Sequence, residues 1–380
     1  MAVYIFLFIA TAVFTAVFDF HEGNRIHKKV CYIILCALFI MLAGFRYKVG
    51  GDTIRYMDEY SSIIPLNHLK FKDLFGQQYM PLCYLLFSIC KYINKSFYCL
   101  QFIHAAILNI ILFRFVYRNT KYCFSAILVY LLWSYLEFNT EIIRESLAVC
   151  MVLLGYEYLK RGKWYVYLVF CFISLGFHVS GIISFIVPLL LRIKFNKTAV
   201  IFTILTTNLL YFLYLSAPQL LVYLDILGAD SSQMLARYYQ EDYDVQNWHA
   251  QALFFVKWIL FLGIFYYYAR RYKYPNIKNI EGLLLVVICL AFMSRYSYAF
   301  YRFINYLMPF VWIIVGTGYA STQFTPIGHN INKLLLVLSI SAFSILCIYS
   351  DNIITGKEDL LKYFPYTSYF NEINVYRPEW

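Results

Sequence analysis

Apolar runs close to twenty residues long recur along this chain, separated by short loops in which the basic residues collect. A run of that length spans the hydrocarbon core of a bilayer as one helix, at 1.5 Å of rise per residue. Only 14% of the 380 residues are charged, against about 25% in soluble domains. Mean hydropathy is +0.61. The chain reads as an all-α polytopic membrane protein. No stretch outside the runs is long enough to fold by itself, so residues 1–380 form a single integral membrane domain.

Helical runs are expected near 2–20, 30–46, 97–116, 122–137, 142–159, 164–177, 179–194, 198–216, 250–269, 280–298, 302–320 and 333–350, about 12 transmembrane helices. The apolar piece 80–93 follows Pro81 and is too short to cross, so it reads as a half or re-entrant helix. Met1 to Phe20 lacks a basic leader and a small-residue cleavage site, and reads as a retained first helix.

Basic residues orient the set. If the loop with Arg25, Lys28 and Lys29 is cytoplasmic, the short inner loops carry 17 of the 32 Lys and Arg but only 4 of the 21 acids. That is the positive-inside pattern. Counting 80–93 as a crossing moves loops 114–121, 160–163 and 192–197 outside and spoils it. Both termini therefore lie outside the cytoplasm, with a long outer loop at 216–249 and an outer tail at 351–380. The net charge of +11 is this topology signal and calls for no nucleic acid.

Ten cysteines lie mostly in apolar runs without CxxC spacing, and the seven histidines form no HxxxH or HExxH pattern. A metal site is not expected. Asp242-Tyr243-Asp244 has the DxD form of nucleotide-sugar transferases but falls on the face where nucleotide sugars are absent.

The polar residues at the outer face are the unusual ones. Phe45 to Tyr56 (FRYKVGGDTIRY) places Arg46, Lys48, Asp52, Arg55 and Tyr56 around Gly50-Gly51, where the backbone can approach a ligand closely. Arg144, His178, Arg295 and Arg302 end spans on the same side, and Lys257 lies inside its helix. Charge at membrane depth is costly and marks a ligand or partner. Several arginines around one cavity suit a diphosphate, whose oxygens guanidinium binds bidentately. Simpler readings stand beside this one: a headgroup collar, a helical ion pair of Arg144 with Glu141, a snorkelling Lys257, and a His178 that bonds a hairpin backbone. Glu145 follows Arg144 directly and projects elsewhere.

Three pieces in order then stand out: Phe45-Arg46 with Gly50-Gly51-Asp52 and Tyr56; Asn139 with Ile143-Arg144-Glu145-Ser146-Leu147-Ala148; and Phe177-His178-Val179-Ser180-Gly181 with Pro188. Together they resemble the EpsG-like branch of the Wzy-type polysaccharide polymerases, well over residues 40–190 and loosely beyond, where Arg302, Tyr306 and Pro309 form a fourth piece. Glu145 departs from the pattern, since relatives often carry Gln there. The resemblance implies a glycosyltransferase of the bacterial cytoplasmic (inner) membrane. It would join polyprenyl-diphosphate-linked oligosaccharide repeat units, the carrier being undecaprenyl diphosphate, on the outer face, for O-antigen, capsule or exopolysaccharide, with no cofactor and no metal. Its partners would be the lipid-linked donor and acceptor, membrane lipid, a chain-length regulator and a flippase. In that reading Arg46 and Arg144 stabilise the leaving diphosphate, and His178 is the base, with Asp52 and Glu145 as alternates. Lys48, Arg55, Tyr56, Glu145, Lys257, Arg295, Arg302 and Trp248 contact substrate, and loop 216–249 closes over the sugars. An O-antigen ligase shares this architecture. A lipid-linked oligosaccharide flippase would instead line a path through the membrane with charge. A membrane acyltransferase would need its His and Asn on the inner side.

Overall fold

The computed structural model describes residues 2–21, 24–75, 79–209, 256–272, 280–294, 298–355 and 362–370, and every regular element among them is helical. Local chemistry marks the starts. Asn24 accepts a hydrogen bond from Ile26 N and opens Arg25–Gly44; Ser96 does the same through Tyr98 N for Phe97–Asn119. Pro81 stands in the first turn of Pro81–Ile93, where its missing N–H costs nothing.

Among the described residues, four helical stretches are long and apolar enough to cross a membrane: Ala2–Asp19, Arg25–Gly44, Phe97–Asn119 and Phe300–Phe324. They are not equivalent. The apolar window of Arg25–Gly44 is 28% buried, whereas that of Phe300–Phe324 is 94% buried. The second is the hub; the first shows Ile26, Val30, Ile33 and Met41 to its surroundings, a face that suits lipid tails and not water. The hub helix Tyr298–Ser321 meets Cys123–Trp133 at Gly316, where a Cβ would lie 2.5 Å from Ala126 Cα. Trp312 from the hub packs on Tyr130 with ring centres 4.6 Å apart.

Two expected spans come out differently. Run 122–137 breaks at Ser134 into Cys123–Trp133 and Tyr135–Thr140. A buried polar triad holds the break: Asn109 donates to Asn139 Oδ1 (2.9 Å), Asn139 to Tyr130 Oη (2.9 Å), and Tyr130 to Asn109 Oδ1 (3.1 Å). Run 179–194 forms no single helix. It makes the 3-10 helix Val179–Phe185 and one turn at Val187–Leu190, because Pro188 cannot continue the hydrogen-bond ladder that precedes it. The expected half helix 80–93 is a 13-residue helix, Pro81–Ile93.

Outside the main core a second apolar cluster joins the short helix Thr53–Ser62 to Pro81–Ile93 through Tyr56, Tyr60, Tyr79, Cys83 and Phe87, with Ile143 at its edge. Residues 362–370, part of the expected tail, return to the loop after Arg25–Gly44. Tyr47 N donates to Thr367 O (2.8 Å), Gly50 N to Lys362 O (3.0 Å) and Tyr369 N to Phe45 O (2.8 Å), and Arg46 pairs with Ser368 in an isolated antiparallel bridge. The nine cysteines described are all free.

Candidate active site

The loop that follows Arg25–Gly44 turns on Lys48 at φ 49° and Gly50 at φ 109°. At Gly50 a Cβ would stand 2.7 Å from Thr140 Cβ and 2.8 Å from Thr53 Oγ1, so only glycine brings the loop this close to Tyr135–Thr140. The approach serves Glu141. Its carboxylate accepts from Gly51 N (2.9 Å) and Asp52 N (3.1 Å), the orphan donors at the start of Thr53–Ser62. The backbone groups expected to face a ligand thus hold an internal anion. The anticipated Glu141–Arg144 ion pair gives way to this cap.

Arg144, three residues on, is consequently left to the aromatics. Its guanidinium carbon lies 5.1 Å from the Tyr79 ring centre and 5.8 Å from that of Tyr56. It hydrogen-bonds the Tyr56 side chain, whose hydroxyl donates to Glu141 O at 3.3 Å. Tyr79 in turn donates to Glu59. Arg144 enters no ion pair among the described residues. A half-buried guanidinium fixed by ring faces keeps its charge for another anion.

The second half of the site comes from the hub helix. Arg302, Asn305 and Tyr306 are three and four residues apart and share a face. Arg302 Nη1 is 3.3 Å from His178 Nε2, Asn305 Nδ2 donates to Glu145 Oε1 at 3.0 Å, and Tyr306 Oη is 3.0 Å from Ser180 Oγ. His178 Nδ1 lies 2.6 Å from Ser180 Oγ, so both ring nitrogens have polar partners. Nδ1 also accepts from Ser180 N at 3.2 Å, which caps the start of Val179–Phe185. Burial, with Arg302 and Arg144 nearby, pushes the imidazole down to about 3, so it is neutral near pH 7. Arg144 acts electrostatically on Asp52, Glu145 and His178, which ties both halves into one constellation.

Asp52 stands at the rim with its side chain 27% exposed, 3.2 Å from Arg55 Nη2. Burial raises its carboxyl above the ordinary value, with Arg55 opposing. Arg55 is 52% exposed and also lies 3.7 Å from Glu59. Lys48 reaches over the Tyr47 ring at 5.2 Å.

Arg46 is drawn into the core instead of the cavity. It is 1% exposed and donates to Ala43 O (2.6 Å) and Val49 O (3.2 Å). Gln101 Nε2 fixes the turn by donating to Gly44 O and Arg46 O, each at 2.8 Å. Arg46 therefore shapes the loop from beneath. Arg295, Trp248, loop 216–249 and the Asp242–Asp244 motif lie outside the described residues, as does the side chain of Lys257.

Several members carry no separate signal in the sequence. Tyr79 and Glu59 are reached only through the second apolar cluster, and Asn305 only through helical spacing from Arg302. Glu141 and Ser180 stand out in the chain, but as an ion-pair partner and as part of a motif. No group of three or more His, Cys, Asp or Glu side chains suited to a metal occurs among the described residues.

A family model described as EpsG family matches residues 29–368. No curated protein and no solved structure matches the chain.

Proposed function

The chain belongs to the EpsG family, and on that premise we propose that it is a membrane-embedded polymerase of polyprenyl-diphosphate-linked oligosaccharide units, acting at the outer face of a bacterial cytoplasmic membrane. The observation that carries this reading is Arg144, an arginine held by two tyrosine rings with no carboxylate paired to it among the described residues. In the reaction the bond from the donor sugar's anomeric carbon to the diphosphate oxygen breaks, and negative charge builds on the diphosphate. Arg144 and Arg302 would neutralise that charge, the electrostatic contribution that usually dominates such catalysis. The acceptor hydroxyl oxygen bonds to the anomeric carbon and gives up its proton to a base.

Asp52 fits the base better than His178. Its carboxylate is reachable at the rim, and its raised affinity for a proton favours the transfer. Both nitrogens of His178 are engaged, so the imidazole orients Arg302. The undecaprenyl carrier, the outward termini, the full set of about 12 spans and the chain-length regulator and flippase partners follow from the family reading and from the loop charges. The glycan would be O-antigen, capsule or exopolysaccharide.

The test is a proteoliposome assay with lipid-linked repeat units. The wild-type protein should build a ladder of chain lengths. Arg144→Ala should leave single units on the carrier, with rates down by about 10²–10³-fold, and Asp52→Asn should do likewise. Normal ladders from both variants would remove the site, and loss of protected lipid without linkage would make the protein a flippase.

A further inference from the structure

A cavity of about 790 Å³ lies at the other end of the bundle, lined by Asp19, His21, Arg25, Lys28, Lys121 and Phe324 among others. Arg25 opens, and Gly44 closes, the same 20-residue helix. At 1.5 Å per residue that is about 30 Å, so the cavity and the Arg46–Asp52 loop face opposite sides of a bilayer. Its first lining residues, Phe18 to Lys28, precede the stretch matched by the family. Nothing in the proposed reaction uses it.

Among the described residues, the charges lining it fall into two groups. Lys28 Nζ donates to Asp19 Oδ1 (2.8 Å), Lys121 O (2.7 Å) and Phe18 O (3.3 Å), which uses all three of its hydrogens. Asp19 Oδ2 accepts from Ser125 N (2.7 Å) and Ser125 Oγ (3.0 Å). This pair is closed on itself and forms the floor. The walls are positive: they carry the guanidinium of Arg25 and the ammonium of Lys121, with the His21 imidazole beside them.

The rim is apolar. Two aromatic side chains of the lining, Phe324 and Tyr117, are 50% and 44% exposed, with Phe18 beside them. A basic recess bordered by exposed aromatic side chains has the make-up of a headgroup site between membrane helices. We propose that this cavity binds a phosphate-bearing anion, with an anionic phospholipid as the source its apolar rim favours. Arg25 supplies the fork-shaped donors and Lys121 the second charge, while the aromatic side chains receive the start of the acyl chains.

The test uses the full chain in detergent and follows thermal unfolding during titration with phosphatidylglycerol, phosphatidylcholine or inorganic phosphate. Phosphatidylglycerol should raise the midpoint and phosphatidylcholine should not. The double variant Arg25→Gln, Lys121→Gln should bind phosphatidylglycerol about 30-fold more weakly, equivalent to about 1 kcal/mol for each charge removed. Lys163→Gln, an exposed basic residue away from the cavity, should bind as the wild type does. An equal rise with inorganic phosphate alone supports the anion site and assigns it to a soluble phosphate. Equal effects of the two lipids, or an equal loss in Lys163→Gln, overturn the proposal. If the double variant does not fold, native mass spectrometry of the wild-type protein decides: a retained phosphatidylglycerol supports the site, and no preference over phosphatidylcholine sinks it. Either result leaves the polymerase reading untouched, because chain-length ladders are read separately.

Discussion

The two ends of the bundle treat buried charge in opposite ways. At the end with Asp19, every donor and acceptor of the ion pair is answered: Lys28 by three oxygens, Asp19 by Lys28 and Ser125. At the end with Arg144, the carboxylate three residues before it, Glu141, is taken up by the Gly51 and Asp52 amides, and among the described residues the arginine is held by tyrosine side chains. Polar residue types are similar at both ends, so composition does not separate them. A closed pair stabilises a fold, whereas a cation immobilised without its counter-ion has binding capacity left over.

The sharpest way to break this contrast is Asp19→Ala. Removing one partner of a buried pair leaves Lys28, only 19% exposed, uncompensated, and should cost about 3–5 kcal/mol in a detergent unfolding titration. Arg144→Ala, which abolishes polymer in the proposed reading, should cost well under half of that in the same titration. If Arg144→Ala is the more destabilising of the two, the two ends do not differ in kind. Glu141→Ala comes next, at about 2–3 kcal/mol, because two backbone donors lose a charged acceptor. Glu141→Gln keeps one acceptor oxygen and should recover part of both stability and ladder length; no recovery in either would mean that the cap is not what positions the loop.

A pH effect follows at about 2 kcal/mol. The folded imidazole of His178 is lowered to about 3 against an ordinary 6.5, so below pH 6.5 the unfolded chain takes up a proton that the folded chain refuses. Stability is then full above pH 6.5 and declines as pH falls toward 3, by about 2 kcal/mol on reaching pH 5. His178→Gln should flatten that part of the unfolding profile, and an unchanged slope would refute the assignment. Smallest of all is Arg55→Ala. Its ion pairs with Asp52 and Glu59 are exposed, so the loss should stay below about 1 kcal/mol, measured in the same way.

Much of this is legible in the order of the residues alone. Apolar runs announce helices, and the succession of Arg46, Asp52, Arg144 and His178 announces both the family and most of the constellation. The rest is hidden for identifiable reasons. Glu141 and Arg144 have ion-pair spacing on a helix, but Glu141 lies just before Ile143–Leu159 begins, so the spacing does not apply. The break at Ser134 depends on Asn109 from another helix, which periodicity along one run does not register. Arg46 looks like a surface cation from its neighbours in sequence, yet Ala43 and Val49 turn carbonyls inward to meet it. Residues 362–370 carry no periodic signal, because their role is to pair with a loop near the other end of the chain.

That last pairing has a consequence in time. Thr367 and Tyr47 are 320 positions apart, so at about 5–20 residues per second the ribosome needs roughly 15–60 s to deliver one to the other. Throughout that interval the Lys48–Asp52 turn must wait at the membrane without the strap that clasps it, long after its own helix has been inserted. Completion of that loop is thereby tied to the synthesis of residues 362–370, and a nascent chain released before residue 368 would carry Arg46 and Arg144 but not the clasp that sets the loop.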